Sequence, residues 1–264
     1  MCLSTASHPL KYQYTNLQST SSPHQIISVS EKTNMSSQLK PITVYGQGPS
    51  PNPLKVAIVL KELGLPYEVD PVPFSDIKKP AYVALNPNGR LPTIYDPNSD
   101  LTLWESGSIV EYLTERYDTE NRLSFPADTP EYYHAKQWLS FQMSGQGPYY
   151  GQFCWFVKFH PEKVPSALDR YAGEINRVTA VLDGYLAKQK EKYADNLGDG
   201  PWLVGNKLSY VDLAWLPWQR MAVLFATKEQ YDDDKYPDAK EWYTKLLNRE
   251  SVTAALAESA PPPS

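Results

Sequence analysis

Three short motifs in this chain combine residue types that can do chemistry. The first is Ser50-Pro51-Asn52-Pro53-Leu54-Lys55-Val56, between an expected strand and an expected helix. A helix N-terminus stabilises negative charge and lowers the pKa of a thiol placed there. An asparagine side-chain N–H can then donate to the thiolate. A plainer role competes, because Asn is a favoured N-cap and Pro is favoured at the first helical position. Taken alone, the spacing fits an Asn52 cap with Pro53 at the first position slightly better than a reactive site.

The second motif is Asn86-Pro87-Asn88-Gly89-Arg90-Leu91-Pro92-Thr93. A cis Leu91–Pro92 bond before a strand would leave the N–H and C=O of Leu91 free to pair with an extended peptide ligand. A trans proline at a strand start is the commoner alternative. The third is Trp104-Glu105-Ser106-Gly107-Ser108-Ile109, where a strand ends and a helix begins. Backbone N–H groups and the Ser106 hydroxyl suit a carboxylate, and Glu105 suits an ammonium. Together they would hold the α-amino acid end of a peptide. Ser108-x-x-Glu111 also reads as a capping box, which leaves Glu105 and Ser106 unexplained.

The elements that must position these motifs follow from periodicity. Ile42-Thr43-Val44-Tyr45 alternates as a strand. Val56, Val59, Leu60 and Leu63 form a helical stripe that Gly64 can end, and Tyr67-Glu68-Val69 is a second strand. This β–α–β unit leads to a short helix near 80–85, close strands at 93–95 and 101–104, and a helix from Ile109. Residues 117–130 read as a linker. Beyond them the pattern is helical to about Ala257, with one stripe through Tyr171, Ile175, Val178, Val181, Leu182 and Tyr185. The expected divisions are a leader at 1–40, a mixed domain at 41–119, a linker at 120–130 and a helical domain at 131–264.

Composition excludes several classes. The 264 residues carry a formal charge of −5, against a broad cationic nucleic-acid binder. Two cysteines, Cys2 and Cys154, make no disulfide scaffold, and no Cys-x-x-Cys exists for dithiol chemistry. Cys154 reads as a small apolar residue rather than a nucleophile. No His/Cys/Asp cluster has metal-ligand spacing. Gly46-Gln47-Gly48 half resembles a dinucleotide fingerprint, but Pro51 stands at the third glycine position. Nineteen Tyr and seven Trp suggest a cleft or partner surface. Residues 1–34 hold eleven Ser or Thr and no Gly, and read as a disordered tail without the features of a transit or signal peptide. Met35 offers an alternative start.

In order and placement the three motifs resemble the thioredoxin-like half of a glutathione transferase. Pro201-Trp202-Leu203-Val204-Gly205-Asn206-Lys207-Leu208-Ser209-Tyr210-Val211-Asp212-Leu213-Ala214 resembles that family's late-helix folding motif, with Ser209 and Asp212 as a capping box. The resemblance runs from about Pro41 to Ala257. It is nearest to a fungal and bacterial branch that includes a yeast nitrogen-regulator prion protein, through Pro51-Asn52, Lys55-Val56-Ala57-Ile58-Val59-Leu60, Asn86-Pro87-Asn88, Trp104-Glu105-Ser106-Gly107 and Ser144-Gly145-Gln146-Gly147-Pro148 with Gly151-Gln152.

The resemblance implies a thioredoxin-like α/β domain followed by an all-α bundle, with glutathione as co-substrate and no metal. Asn52 takes the place of the usual Tyr, Ser or Cys. Leu91, Glu105 and Ser106 would contact glutathione. The usual His or Gln before the second helix is replaced by Asp76-Ile77-Lys78-Lys79-Pro80, so Lys78 or Lys79 would supply the cation for the glycine carboxylate. Arg170 matches an arginine that reaches glutathione in some relatives, though a solvated helix charge reads as well.

Met143, Gln146, Tyr149 and Phe153 would line the electrophile pocket beside Tyr150, Trp155 and Phe156, with a helix kink near Gly145–Gly151 opening one face. The expected activity is conjugation of glutathione to apolar electrophiles, in detoxification or fungal secondary metabolism. Glutathione-dependent disulfide or peroxide reduction and a non-enzymatic regulator of the same fold are the alternatives. A cytosolic homodimer with no nucleic-acid or membrane partner is expected.

Overall fold

The structure, a computed structural model, describes residues 39–46 and 50–259. The expected leader through residue 38, the Met35 start, Gln47-Gly48 of the rejected fingerprint and the closing Pro261–Pro263 lie outside the described residues.

Strand β1 is Ile42–Tyr45, whose alternate residues Ile42 and Val44 are buried. Helix α1, Pro51–Leu63, follows and ends at Gly64, whose φ of +69° suits a residue without a β-carbon. The apolar stripe of α1 is fully buried at Val56, Val59 and Leu60. Strand β2, Tyr67–Asp70, then pairs parallel to β1. After the single-turn α2, Pro80–Val83, strands β3, Thr93–Asp96, and β4, Leu101–Trp104, form an antiparallel pair. The four-stranded sheet has the order β2-β1-β3-β4, with β3 antiparallel to β1. Helix α3, Ser106–Tyr117, completes this thioredoxin-like layer. It starts two residues before Ser108, with Glu105 as its N-cap, so the expected Ser108–Glu111 capping box does not form.

An ordered crossing joins the two halves. Asp118 accepts from the backbone N–H groups of Arg122, Leu123 and Ser124, all at 2.8 Å. Lys207, from the second half, donates to Ser124 O at 2.6 Å. Helix α4, Pro130–Phe141, starts at Thr129, whose side chain accepts from the N–H of Tyr132. It passes through a π-helical turn, Gln142–Gln146, into α5, Gly147–Lys158. The kink expected from Gly145 and Pro148 is therefore an inserted π-turn between two continuing helices, a device common at functional sites.

Helices α6, Pro165–Lys192, α7, Tyr210–Phe225, α8, Pro237–Leu247, and α9, Glu250–Ser259, build the rest. The Ser209–Asp212 capping box is present at the start of α7. Asp212 is fully buried and also accepts from Leu203 N–H and Trp242 Nε1, each at 2.9 Å. One carboxylate thus ties together the 201–208 segment, α7 and α8.

The two halves share α1, which packs against α3, α7 and α9. Helix α9 returns to clamp it: Arg249 pairs with Glu62 at 2.5 Å and Glu258 with Lys61 at 2.5 Å. No described helix is long and apolar enough to cross a membrane.

Replacing Asp212 removes the acceptor of two buried N–H donors together with a cap. Asp212→Ala is expected to lower stability by about 3 kcal/mol, since each orphaned buried donor costs about 1–3 kcal/mol. Denaturant unfolding followed by tryptophan fluorescence reads this; a loss under about 1 kcal/mol would contradict the tie.

Candidate functional site

The first turn of α1 carries few backbone donors. Pro51 and Pro53 have no N–H, and the N–H of Leu54 is bonded to Ser50 O at 3.2 Å. Asn52 supplies the remaining backbone N–H of that turn, so any further donor there must come from a side chain. Asn52 is not the cap expected from its type. Ser50 occupies the cap and Pro51 the first helical position, which places Asn52 inside the turn.

The Asn52 side chain reaches across to the helical half. Its Oδ1 accepts from Trp218 Nε1 of α7 at 3.0 Å. An indole N–H is only a donor, so it selects the amide oxygen and leaves the Nδ2 hydrogens for another partner. Trp218 itself lies against α5, where a β-carbon added at Gly151 would come within 3.1 Å of its ring. Gly147 and Gly151, one helical turn apart, make room for the ring and hence for its bond to Asn52.

One turn into α1, Lys55 is fully buried. Its Nζ donates to Ser106 Oγ at 3.0 Å and Gln142 Oε1 at 2.7 Å, and approaches Met143 Sδ at 3.5 Å. Burial pulls its pKa down to about 7, against the attraction of Glu105, which raises it. Gln142 is held in turn: its Nε2 donates to Gln146 Oε1 at 3.2 Å, and Gln146 Nε2 donates to the Trp215 carbonyl at 3.1 Å.

At the start of α3, Glu105 adopts φ +69°. A side-chain-bearing residue there stores about 1–3 kcal/mol of strain, which commonly marks a functional position. Its carbonyl accepts from Ile109 N–H at 2.9 Å, and its exposed carboxylate accepts from Asn88 Nδ2 at 3.1 Å. Ser106 is 3% exposed, directly behind it.

The loop that carries Asn88 is braced from below. Buried Asn86 donates to Arg90 O at 2.7 Å, Tyr82 donates to the same carbonyl at 2.8 Å, and Asn86 Oδ1 accepts from Asn88 N–H. The Leu91–Pro92 bond is cis, the rarer of the two expected forms. Leu91 precedes the paired residues of β3. Of the two lysines, Lys78 reaches this loop, donating to Asn88 O at 2.9 Å. Lys79 pairs instead with Asp76 at 2.7 Å. Asn88 thus joins Lys78 to Glu105, Lys55 of α1 joins Ser106, and Asn52, one turn earlier on α1, joins Trp218.

The expected electrophile wall needs correction. Gln146 and Phe153 are fully buried, Phe153 in the helical core and Gln146 in the amide chain, so neither lines a pocket. Their positions in the stripe of the kinked helix face inward. Met143 and Tyr149 are partly buried. Met143 is wedged at the domain junction, where a β-carbon at Gly107 would lie 3.0 Å from its Cγ. Arg170 pairs with Glu174 at 2.6 Å and lies over the Tyr149 ring, 5.9 Å from its centroid. Burial raises the Cys154 thiol to about 11, against a nucleophilic role.

A groove of about 520 Å³ lies between β1, β2, α1 and α9, but none of Asn52, Leu91, Glu105 or Ser106 lines it. Asp232, Asp233 and Asp234 bring carboxylate oxygens within 4.8 Å, a cluster that the sequence reading passed over. Lys228 and Lys240 pair with these acids at 2.9 and 3.1 Å.

Sequence reasoning missed Lys55, Asn88 and Trp218 as site residues. Lys55 carried a signal: a cation set in the run from Leu54 to Leu60, whose other residues are all apolar. Gly147-x-x-x-Gly151 signalled a close approach on α5, without saying which residue would fill it.

Comparison with known proteins gives a consistent picture. The family model described as glutathione S-transferase, N-terminal domain, matches residues 49–116, and the C-terminal domain model matches 148–250. The glutathione S-transferase-like protein gedE of Aspergillus terreus is 59% identical over 86% of this chain and 100% of its own length. The transcriptional regulator URE2 of Saccharomyces cerevisiae is 33% identical over 83% of this chain and 68% of its own length. The crystal structure of the glutathione transferase URE2P6 from Phanerochaete chrysosporium with oxidized glutathione superposes with a TM-score of 0.76 at 42% identity, covering 84% of this chain and 98% of that one.

Lys55 makes the stability of the unliganded protein depend on pH. Its folded pKa, about 7, lies below the ordinary lysine value of 10.5, so between these values the unfolded chain binds the extra proton. Stability from this group therefore rises with pH across that window. From pH 6 to pH 9 the Tm of the native sequence is expected to gain on that of Lys55→Met. Parallel Tm–pH curves would show that Lys55 is charged throughout.

Proposed function

The chain belongs to the glutathione S-transferase family, and from that premise we propose that it conjugates the glutathione thiolate to apolar electrophiles. The observation that carries this reading is the fixed amide of Asn52 in the first turn of α1. With Oδ1 occupied by Trp218, Nδ2 is the donor available to a sulfur above the turn. That hydrogen bond and the positive end of the helix dipole favour thiolate over thiol, so the nucleophile is present near neutral pH. Holding the sulfur beside a bound electrophile then supplies proximity.

The remaining roles follow from charge. The Glu105 carboxylate faces the γ-glutamyl ammonium. Ser106 and the N-terminus of α3 receive its α-carboxylate. The Leu91 backbone pairs with the extended cysteinyl unit. Lys78, at the rim through Asn88, takes the glycine carboxylate, while Lys79 is engaged with Asp76. Met143 and Tyr149 border the electrophile's side together with Trp218, and Arg170 over Tyr149 flanks it. We place this activity in the cytosol and in a homodimer, where the exposed Trp155 and Phe159 rings, 5.8 Å apart, would find cover.

Reduction of disulfides by glutathione alone is the second reading. It is favoured by the oxidized glutathione held in the URE2P6 crystal structure.

Rates with a chloronitroaromatic, a mixed disulfide and a hydroperoxide separate these chemistries. With the preferred substrate, Asn52→Ala is expected to lower kcat/KM for glutathione by about tenfold or more, the loss of a hydrogen bond to a charged group. Trp218→Phe, which keeps a ring but loses the N–H, is expected to cost about two- to tenfold, the range of a neutral hydrogen bond. Full activity in Asn52→Ala would rule out its thiolate role. Sedimentation velocity giving a monomer would rule out the dimer.

A further inference from the structure

The proposed function uses Asn52, Glu105 and Ser106 but leaves unexplained why a lysine is buried beneath them. Lys55 is fully enclosed, and its three N–H donors meet three acceptors: Ser106 Oγ, Gln142 Oε1 and Met143 Sδ. A buried ammonium is costly unless something nearby uses its charge. Its acceptors are all neutral, and the opposing charge of Glu105 is exposed and engaged with Asn88.

We propose that Lys55 is a positioning residue for the α-carboxylate of the bound peptide, acting through Ser106 and supplying the buried positive charge that the carboxylate meets. The inference rests on the glutathione reading above and adds to it a residue that does not itself touch the ligand.

Two geometric facts carry it. First, Ser106 Oγ accepts from Lys55 through one of its two lone pairs, which orients the hydroxyl and leaves its hydrogen to turn toward a ligand. The competing acceptor, Met143 Sδ, is 3.9 Å away and weak. Second, Lys55 is aimed from behind. Trp215 O, Gln146, Gln142 and Lys55 form a chain in which each donor points the next acceptor, and the last link ends on the ammonium. Each bond polarises its neighbour, so the ammonium is held under Ser106 rather than left to search for a partner.

The charged surroundings of Lys55 are sparse. From the start of α3 it meets Glu105 and neutral Ser106, and from the π-turn neutral Gln142 and Met143. On α7 the titratable groups are Tyr210, Asp212, which is held by Ser209, Leu203 N–H and Trp242, and Arg220. Arg249, just before α9, pairs with Glu62, and on α9 Glu258 pairs with Lys61 while Glu250 is exposed. Lys61 lies about 9 Å farther along α1, at about 1.5 Å per residue. A carboxylate arriving at Ser106 is therefore the main new charge that Lys55 meets. Without ligand, burial lowers the Lys55 pKa from 10.5 to about 7. An anion at Ser106 favours the charged form, so binding takes up a proton.

S-Methylglutathione is the probe, because it keeps both carboxylates and the ammonium but has no thiol to ionise. Calorimetric titrations of the full chain between pH 6 and pH 8, in two buffers of different ionisation enthalpy, read both affinity and proton uptake. The expected result is uptake of a fraction of a proton that grows above pH 7, with affinity falling as pH rises. Lys55→Met is expected to bind about tenfold or more weakly at pH 6.5, as when a charge-assisted contact is lost. It should show no proton uptake.

PH-independent affinity without proton uptake in the native sequence overturns the inference, whether or not Lys55→Met folds. Equal affinity in a folded Lys55→Met also overturns it. If the native sequence does not bind S-methylglutathione at any pH, the glutathione reading itself fails, an outcome distinct from binding that ignores Lys55.

Discussion

The burial of Lys55 is the constraint around which this molecule is arranged. An ammonium with no water must have its donors met, and its acceptors come from separate elements: Ser106 from α3, and Gln142 and Met143 from the π-turn. Those acceptors belong to different domains, so the cation holds the junction in register as well as satisfying itself. The π-turn is needed for this, because it interrupts the α4–α5 helix at Gln142 and Met143. Gly107 leaves the space that Met143 requires. A β-carbon there would meet the Met143 thioether at 3.1 Å.

A second contact crosses the same junction one turn nearer the N-terminus of α1. Trp218 fixes the Asn52 amide, and the two contacts together make α1 a shared element rather than a possession of the first domain. The helical half orients the chemistry-bearing residues of the thioredoxin-like half without supplying the reactive group. The clamp of α9 on Glu62 and Lys61 holds the other end of the same helix.

Beside Ser106, Glu105 combines a charged side chain with a left-handed backbone. Glu105 keeps an unfavourable φ because Asn88 and the first turn of α3 hold it there. The loop bearing Asn88 is braced at one carbonyl, Arg90 O, by Tyr82 and Asn86. Glu105 and Asn88 are exposed, while Asn86 and Tyr82, which brace the Asn88 loop, are buried, so an accessible polar edge stands on a rigid base.

Much of this was legible in the chain. Periodicity of 2 and 3.6 places β1 to β4, α1 and the long α6, because those patterns follow from burying one face of an element. The Ser209–Asp212 box is local, three residues apart, and needs no tertiary information. The resemblance to glutathione transferases marks Asn52, Leu91, Glu105 and Ser106 through contiguous motifs. Tertiary structure decided the rest. Whether Leu91–Pro92 is cis, whether Asn52 caps its helix or reaches Trp218, and which lysine meets Asn88 all depend on contacts between distant residues. Gln146 and Phe153 share a stripe with Met143 and Tyr149, and only the rotation introduced by the π-turn separates core from rim. Lys55 shows the difference most plainly. Its residue type announces a surface charge, and only the convergence of α1, α3 and the π-turn removes its water and replaces it with three acceptors.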